Sequence, residues 1–182
     1  MLLCSYSLGA VPSGFLVARM YGVADIRNYG SGNIGATNVA RILGFPFFII
    51  VFLLDAGKAF LNLWMLQYMS YPEDVLCIAA GTHLFANSYS PFLSWSGGKG
   101  VSALFGLLFV LRWYFVPAVA AVWLGILCVT HTPGIASVAA VFMLPFLAWF
   151  CDAPCIVCGF CFCAAAWVIM RHTNNLRAFF AT

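Results

Sequence analysis

The sequence predicts an all-α integral membrane protein of seven transmembrane helices, some of them short. Hydrophobic residues make up 64% of the 182 positions and charged residues only 7%, against roughly 25% charged residues in ordinary soluble domains. Eight basic and five acidic side chains cannot cover a soluble surface beneath which eighteen Phe, six Trp and seven Tyr must be buried. Lipid is therefore the expected solvent, and residues 1–182 are expected to form a single transmembrane helical domain.

Seven apolar segments follow one another along the chain. They cover residues 1–20, 45–69, 75–87, 101–111, 113–130, 135–150 and 155–170. The first has no basic region before its apolar core and runs directly into Arg19, so it is predicted to be a span and not a cleavable signal. The two shortest segments cannot cross about 30 Å of hydrocarbon alone, so they must recruit neutral flanking residues or end against protein.

The stretch from residue 101 to residue 130 is predicted to be a hairpin of two helices. A single helix of 30 residues would be about 45 Å long. It would hold Arg112 near its middle, at a cost of roughly 3 kcal/mol or more. A break beside Trp113 and Tyr114 instead places Arg112 at a membrane surface, where aromatic residues are enriched.

The charges in the loops predict the orientation of the spans. If the spans alternate in direction, one side receives Arg19, Arg27, Arg41, Lys99, Arg171 and Arg177, and the other receives Glu73, Asp74, Asp152 and only Arg112. Because loops rich in Lys and Arg remain in the cytoplasm, the N-terminus is expected outside and the C-terminus in the cytoplasm. A six-span arrangement would move Arg171 and Arg177 outside, so it fits less well.

Four polar or glycine-rich segments fall on the predicted cytoplasmic face. They cover residues 27–41, 96–102, 131–137 and 171–177. Together they supply backbone N–H groups, hydroxyls and several cations, with Asp25 the only carboxylate expected nearby. Such a surface favours a polyanion, most naturally phosphate, held by glycine-rich loops and by Arg and Lys side chains. Each loop taken alone is interpreted more simply as a turn with a cation that anchors the inner face.

Several other motifs are excluded by their context. Gly30-Ser-Gly-Asn-Ile-Gly35 satisfies a dinucleotide-binding pattern, but membrane spans flank it instead of a strand–helix–strand unit. Gly100 follows Lys99 where a P-loop NTPase needs Ser or Thr. The five cysteines between residues 151 and 163 lie in a nearly uncharged apolar stretch, so they are interpreted as helix-packing residues and not as ligands of an iron–sulfur cluster. No run of Lys or Arg indicates binding to nucleic acid.

Three segments carry a resemblance to a known family. They are Ser31-Gly-Asn-Ile-Gly-Ala-Thr-Asn-Val-Ala-Arg41, Gly97-Gly-Lys-Gly100 and His172-x-x-Asn175. Together with Asp25-Ile-Arg27 and Asp55-x-x-Lys58, they resemble the bacterial acyl phosphate:glycerol-3-phosphate acyltransferases, the PlsY family. The resemblance implies a seven-helix enzyme of the bacterial inner membrane, with its site facing the cytoplasm. It would transfer a fatty acyl group from acyl phosphate to the sn-1 hydroxyl of glycerol 3-phosphate, giving lysophosphatidic acid and phosphate.

The resemblance also implies roles for individual residues. Ser31, Arg41 and Lys99 are expected to bind phosphate, and Ser137, His172 and Asn175 to hold glycerol 3-phosphate. His172 is expected to orient the attacking hydroxyl or to relay its proton; its simpler interpretation is an interfacial residue that caps the last helix. The pocket for acyl phosphate and its oxyanion is expected to be shaped by Asn33, Thr37, Asn38, Gly97, Gly98 and Gly100.

The histidines give a separate indication about the chemistry. None of the three begins the His-x4-Asp motif of acyltransferases that use acyl-CoA, because the fifth residues after them are Ser88, Ala136 and Arg177. Acyl phosphate is a mixed anhydride with a good leaving group, so positioning and oxyanion stabilisation can supply most of the rate. We therefore expect no cofactor, and no metal on a face so poor in carboxylates. His83 and His131 are expected to hydrogen-bond locally, and Asp55 with Lys58 to form a structural ion pair.

Two other classes of function remain open. A transporter of a phosphorylated small solute would also present a basic inner face, but it usually places polar residues near the midplane and shows an internal repeat, which this sequence lacks. A non-enzymatic lipid-binding subunit would not need three polar motifs on one face. The expected partners are glycerol 3-phosphate, fatty acyl phosphate and the lipid bilayer, with no nucleic acid and no obligate protein partner.

Overall fold

The computed structural model describes residues 1–181, which are helical apart from short connections and an isolated bridge between Ser90 and Ser96. The helices are α1 Leu2–Ala10, α2 Ser13–Met20, α3 Ala36–Leu43, α4 Phe45–Tyr68, α5 Glu73–Ser88, α6 Val101–Leu111, α7 Phe115–Thr130, α8 Pro133–Phe142, α9 Leu144–Phe150, α10 Cys155–Arg171 and α11 Thr173–Phe180. Short 3₁₀ turns occupy Ile26–Asn28 and Pro91–Leu93. Each apolar segment predicted from the sequence is mostly helical, although the first is interrupted at residues 11–12 and the sixth at Met143.

Three segments are long and apolar enough to cross a membrane. They are Leu2–Met20, Phe45–Tyr68 and Pro133–Phe150. A fourth arises if α10 and α11, which bend by 56° at their junction, are counted together. Helices α6 and α7 are apolar but shorter. Many large apolar side chains point outwards along these helices, as expected of an integral membrane protein whose surface meets lipid.

The first apolar segment is broken between α1 and α2. Pro12 lies in the break and has no N–H with which to continue the helix. The carbonyl groups that the break releases are bound by side chains from other parts of the chain. Ser90 Oγ donates to the Ala10 oxygen at 2.6 Å, and Lys58 Nζ donates to the Val11 oxygen at 2.6 Å.

The helix also breaks at Arg112, as the sequence predicts. Helix α6 ends at Leu111 and α7 begins at Phe115. Arg112 Nη1 donates to Glu73 Oε1 at 2.6 Å, so the cation has a partner at the start of α5. Trp113 and Tyr114 beside it are 65% and 42% exposed, consistent with an aromatic belt at a membrane surface.

The helices enclose one large apolar core and a smaller one. In the large core α4 packs on α6, α10 packs on α5, α8 and α9, and α7 packs on α8. Helices α4 and α6 approach closely because α6 carries Gly106, where a Cβ would overlap the carbonyl oxygen of Ala56. The smaller core joins α2, α3 and the beginning of α4 around Ile26, Val39 and Val51. This smaller core packs against the first polar segment and holds it in place.

Candidate active site

The first polar segment folds around Asn38, a residue of α3 that is only 1% exposed. Its Oδ1 accepts from the backbone N–H of Ser31 at 2.8 Å. Its Nδ2 donates to the carbonyl oxygens of Tyr29 at 3.0 Å and Asn33 at 2.8 Å. Both amide hydrogens are used within the chain. Asn38 therefore holds in place the loop that carries Ser31 and Asn33.

Two glycines allow this loop to be compact. Gly30 has a φ of +57°, in the left-handed region that favours glycine, and a Cβ there would overlap Oδ1 of Asn38. Gly14 of α2 lies directly against the loop, because its Cβ would overlap the carbonyl oxygen of Ile34. The loop is thus fixed between α2 and α3.

The loop that carries Lys99 is held against the end of α5. The N–H of Gly98 donates to the Asn87 carbonyl oxygen at 2.9 Å, and a Cβ on Gly97 would lie 2.5 Å from the same oxygen. Arg171 Nη2 donates to the carbonyl oxygens of Gly97 and Gly98, each at 3.4 Å. Arg171 thereby attaches the end of α10 to the loop that presents Lys99.

The polar segments meet around a cavity of about 250 Å³. Its polar side includes Ser31, Asn33, Thr37, Asn38, Arg41, Gly98, Lys99, Gly100, Ser137, His172 and Asn175. Its apolar side includes Phe48, Phe52, Phe105, Ala120, Trp123 and Leu124, which come from α4, α6 and α7. One side is cationic and rich in backbone N–H groups, and the other is aromatic and aliphatic. This lining suits an amphiphile with an anionic head.

Lys99 lies among other positive charges. Its Nζ donates to Oδ1 of Asn175. Burial, assisted by the positive charges of Arg171 and Arg41, lowers the pKa of Lys99 from 10.5 to about 8. Positive groups that repel one another in a partly buried site favour an anion between them. The cationic side of the cavity therefore has the electrostatics of a phosphate site.

The carboxylates differ from the sequence prediction. The expectation that Asp25 is the only carboxylate near this face is wrong, because Asp55 lines the cavity and is 8% exposed. Helix α4 forms part of the cavity wall, and Asp55 lies on the lining part of this helix. The predicted ion pair is present, with Lys58 Nζ at 2.8 Å from Asp55 Oδ1. Asp25 instead pairs with Arg27 at 2.6 Å, and neither of these two lines the cavity.

Ser137 occupies the part of the cavity formed by α7, α8 and α11. Its Oγ donates to the carbonyl oxygen of Pro133 at 2.8 Å and accepts from Nε1 of Trp123 at 3.1 Å. One turn earlier, Gly134 lies against Asn175, since a Cβ there would be 2.8 Å from the Asn175 Cγ. Asn175 therefore lies between the start of α8 and Lys99.

His172 stands at the bend between α10 and α11 and is 4% exposed. Its Nδ1 lies 2.8 Å from the carbonyl oxygen of Val168. A carbonyl oxygen only accepts, so Nδ1 carries the hydrogen and Nε2 is left for a ligand. Burial, assisted by Lys99 and Arg171, lowers the pKa of His172 from 6.5 to about 4, although the bond to Val168 acts in the opposite direction. The imidazole is therefore neutral at pH 7.

Comparison with known proteins identifies the family. A family model described as glycerol-3-phosphate acyltransferase matches residues 1–182. The chain belongs to that family. It is 35% identical to a glycerol-3-phosphate acyltransferase of Thermosynechococcus vestitus over 98% of this chain and 90% of that protein. It is 33% identical to one of Dinoroseobacter shibae over 96% of this chain and 85% of that protein.

Two crystal structures of PlsY, an integral membrane glycerol 3-phosphate acyltransferase, show a similar fold. The glycerol 3-phosphate form matches with a TM-score of 0.93 and 31% identity, covering 99% of this chain and 90% of that one. The lysophosphatidic acid form matches with a TM-score of 0.90 and 30% identity at the same coverage. This glycerol-3-phosphate acyltransferase family member is therefore an integral membrane protein with the PlsY fold.

The glycerol-3-phosphate acyltransferase fold brings the sequence-predicted residues together. All of them except Gly97 line the cavity. Gly97 instead faces the end of α5, where it allows the loop that carries Lys99 to pack closely.

The sequence did not indicate the apolar wall of the cavity. Its rings contact one another in series, from Phe105 to Phe52 at 5.5 Å, from Phe52 to Phe48 at 6.0 Å and from Phe48 to Trp123 at 6.2 Å between centroids. Eighteen Phe in one chain give no signal that distinguishes these three. Spacing on α4 does place Phe48, Phe52 and Asp55 on one helix face, which is the only signal available.

The remaining histidine and cysteine predictions have mixed outcomes. His83 is fully buried, and within residues 1–181 neither ring nitrogen has a hydrogen-bond partner, so the predicted local bond is wrong. Helix α1 packs closely over α5 here, because a Cβ on Gly9 would overlap the backbone carbonyl oxygen of His83. Every cysteine within residues 1–181 is unpaired. Over the described chain, no three or more His, Cys, Asp or Glu side chains are grouped to hold a metal ion.

Proposed function

We propose that this chain transfers a fatty acyl group from acyl phosphate to the sn-1 hydroxyl of glycerol 3-phosphate, in the first step of phospholipid synthesis. The products are lysophosphatidic acid and phosphate. Family membership supports acyl transfer to glycerol 3-phosphate. The single observation that carries the choice of donor is the cavity, in which Arg41, Lys99 and glycine-loop N–H groups adjoin an aromatic wall. An acyl phosphate has this sequence of anionic and apolar parts.

The cationic side of the cavity would hold the two phosphate groups. Lys99, fixed by Asn175, and Arg41 supply charge, and Ser31 supplies a hydroxyl on a rigid loop. Charge-assisted hydrogen bonds of this kind are stronger than neutral ones. The oxyanion pocket would be formed by Asn33, Thr37 and the backbone of Gly100, which line the cavity. Gly98 also lines it, but its N–H is already bound to Asn87. Gly97 and Asn38 would act indirectly, by holding the two loops.

His172 would face the attacking hydroxyl through Nε2, since Nδ1 is bound to Val168. The hydroxyl oxygen bonds to the acyl carbon, and the bond from that carbon to the phosphate oxygen breaks. The hydroxyl proton passes, by way of the neutral imidazole, to the departing phosphate. Ser137 and Asn175 would orient the rest of glycerol 3-phosphate. Positioning and oxyanion stabilisation would supply most of the rate.

The reaction is tested directly with purified protein and radiolabelled glycerol 3-phosphate. Acyl phosphate and acyl-CoA of the same chain length are supplied in separate assays. Labelled lysophosphatidic acid should form with acyl phosphate and not with acyl-CoA. Equal rates with the two donors would contradict the donor assignment. Absence of product with both would contradict the function itself.

We further propose seven spans in the bacterial inner membrane, with the N-terminus outside and the cavity facing the cytoplasm. The break at Arg112 and the clustering of Arg41, Lys99 and Arg171 support this arrangement. Single cysteines near Ser31, Lys99 and Thr173, in a chain whose native cysteines are replaced, should react with an impermeant reagent only from the cytoplasmic side. Labelling of any one from outside would contradict the topology.

A further inference from the structure

We propose that Trp123 is a positioning residue that fixes the hydroxyl of Ser137 as an acceptor for the non-reacting hydroxyl of glycerol 3-phosphate. Trp123 would thereby help to set specificity for the glycerol backbone. This inference rests on the proposed function, because it concerns how the acceptor substrate of that reaction is held.

The hydrogen bonds that Ser137 makes within the protein leave its hydroxyl one free lone pair. A serine hydroxyl has one hydrogen and two lone pairs. The hydrogen is directed to the Pro133 carbonyl oxygen at 2.8 Å, and the indole Nε1 of Trp123 donates to one lone pair at 3.1 Å. The second lone pair remains available in the cavity that Ser137 lines. In this arrangement Ser137 can accept a hydrogen bond from a ligand but cannot donate one.

Because Ser137 can only accept a hydrogen bond, it must bind a part of the substrate that donates one. An ionised phosphate offers only acceptor oxygens, so it cannot pair with an acceptor. The glycerol part of the substrate carries two free hydroxyl groups, and each is a donor. The reacting hydroxyl needs the stronger acceptor, which is the neutral imidazole of His172 with its free Nε2. The neighbouring hydroxyl is then the donor for Ser137.

Trp123 is well placed to hold this polarity. Its ring lies 6.2 Å from the ring of Phe48, centroid to centroid, and it belongs to the apolar wall of the cavity. Contact with α4 on one side and the bond to Ser137 on α8 on the other limit its rotation. Without the indole donor, a second hydrogen-bond partner of Ser137 is lost. Only the bond to the Pro133 carbonyl oxygen would then hold the hydroxyl, which could turn more easily to donate to a ligand.

The molecule contains a matched control for this pair. Trp167 Nε1 donates to Ser88 Oγ, also at 3.1 Å. Neither Trp167 nor Ser88 lines the active-site cavity. Replacing Trp167 with Phe therefore removes the same kind of hydrogen bond from the same kind of helix contact, but away from the substrate. Effects seen in Trp123→Phe and not in Trp167→Phe belong to the cavity.

The experiment compares glycerol 3-phosphate with 3-hydroxypropyl phosphate, which lacks only the non-reacting hydroxyl. The ratio of their kcat/KM values measures recognition of that hydroxyl. We expect the natural chain to favour glycerol 3-phosphate and Trp123→Phe to lower the ratio by about tenfold, as when a positioned hydrogen bond is lost. Ser137→Ala should lower it similarly, and the double variant no further. Trp167→Phe should leave the ratio unchanged.

The outcomes separate the two proposals. If the natural chain transfers no acyl group, the proposed function fails. If it does transfer, and Trp123→Phe keeps the ratio or changes only the acyl-chain preference, the positioning role of Trp123 is overturned. Additive losses in the double variant would also overturn it. If Trp123→Phe does not fold, benzothienylalanine at position 123, which keeps the ring shape without the N–H, gives the same test.

Discussion

Two hydrogen bonds of the same type and length lie in different surroundings. Trp123 donates to Ser137 in the active-site cavity, and Trp167 donates to Ser88 beside a groove of about 180 Å³ between α5 and α10. The groove is lined by Gly81, Leu84, Phe85, Phe160, Cys163, Ala164 and Trp167. These lining residues include no charged side chain, whereas the cavity holds Arg41 and Lys99. The difference teaches that neighbouring charges and loops, and not the Trp–Ser pair itself, give a cavity its chemistry.

The two regions are also built differently. The groove is formed by side chains of two long helices that need no special backbone. The cavity depends on loops that pack closely at Gly14, Gly30 and Gly97, and on Asn38, whose amide binds three parts of one loop. Rigid loops hold donors in place before substrate arrives, which is the condition for electrostatic catalysis. Substitutions in the cavity should therefore reduce activity strongly, and substitutions in the groove should have small effects.

The largest effect is expected from Lys99→Met. It removes a cavity cation and the donor to Asn175, so kcat/KM for glycerol 3-phosphate should fall by about a hundredfold or more. Steady-state kinetics on purified protein measure this. Arg19→Met is the charge-matched control, since Arg19 is exposed and outside the cavity lining, and it should change kcat/KM by less than about twofold. Equal losses in both would show that the effect is one of general charge.

Asn38→Ala is expected to have the next largest effect. It leaves the Ser31 N–H and two loop carbonyl groups without their partner, at a cost of about 1–3 kcal/mol for each group that stays buried and unpaired. We expect a lower unfolding temperature in detergent and a loss of kcat/KM of about 10- to 100-fold. Trp167→Phe should show a smaller change in both. Full activity of Asn38→Ala would contradict the positioning role of this amide.

The pH dependence of activity should report the charge of Lys99, the lysine of the cavity. The pKa of Lys99 is lowered to about 8, so its positive charge is present below that pH and is lost as the pH rises through it. We expect kcat/KM to decrease above pH 8, approaching about tenfold per pH unit. In Lys99→Arg this limb should move up by two units or more, because guanidinium keeps its proton. An unmoved limb would assign it to another group.

The smallest effects are expected at the cysteines and from chelation. Cys151 and Cys155 are exposed and Cys163 borders the groove, so changing the three to Ser should leave kcat within about twofold. EDTA should leave it unchanged as well, since in the proposed site Arg41 and Lys99 would take the place of a metal at the phosphate. Loss of turnover on chelation that Mg²⁺ restores would show that the site uses a metal.

The sequence predicted much of this fold because hydropathy and composition are local properties. The helix break at Arg112 follows from the cost of burying one cation, and it is present. Helix α3, which supplies Asn38, was hidden within a segment that resembles a polar loop. Its apolar face is covered only in the folded protein, by α2 and α4.

The residues of the cavity could be predicted about as well as the fold. Polar segments stand out in an apolar chain, and the family resemblance picked out the residues within them, all of which except Gly97 line the cavity. Trp123 and Ser137 are 14 residues apart on different helices, and no sequence pattern pairs them. Asp55 was correctly paired with Lys58, but its position at the cavity depends on how α4 packs.

Equilibrium binding of radiolabelled glycerol 3-phosphate tests most directly that the cations of the cavity form the substrate site. The natural chain, Lys99→Met and Trp167→Phe are measured in detergent at one pH and ionic strength. We predict one site per chain, a Kd raised by about 10- to 100-fold in Lys99→Met, and an unchanged Kd in Trp167→Phe. An unchanged Kd in Lys99→Met, or equal losses in both variants, would contradict this account.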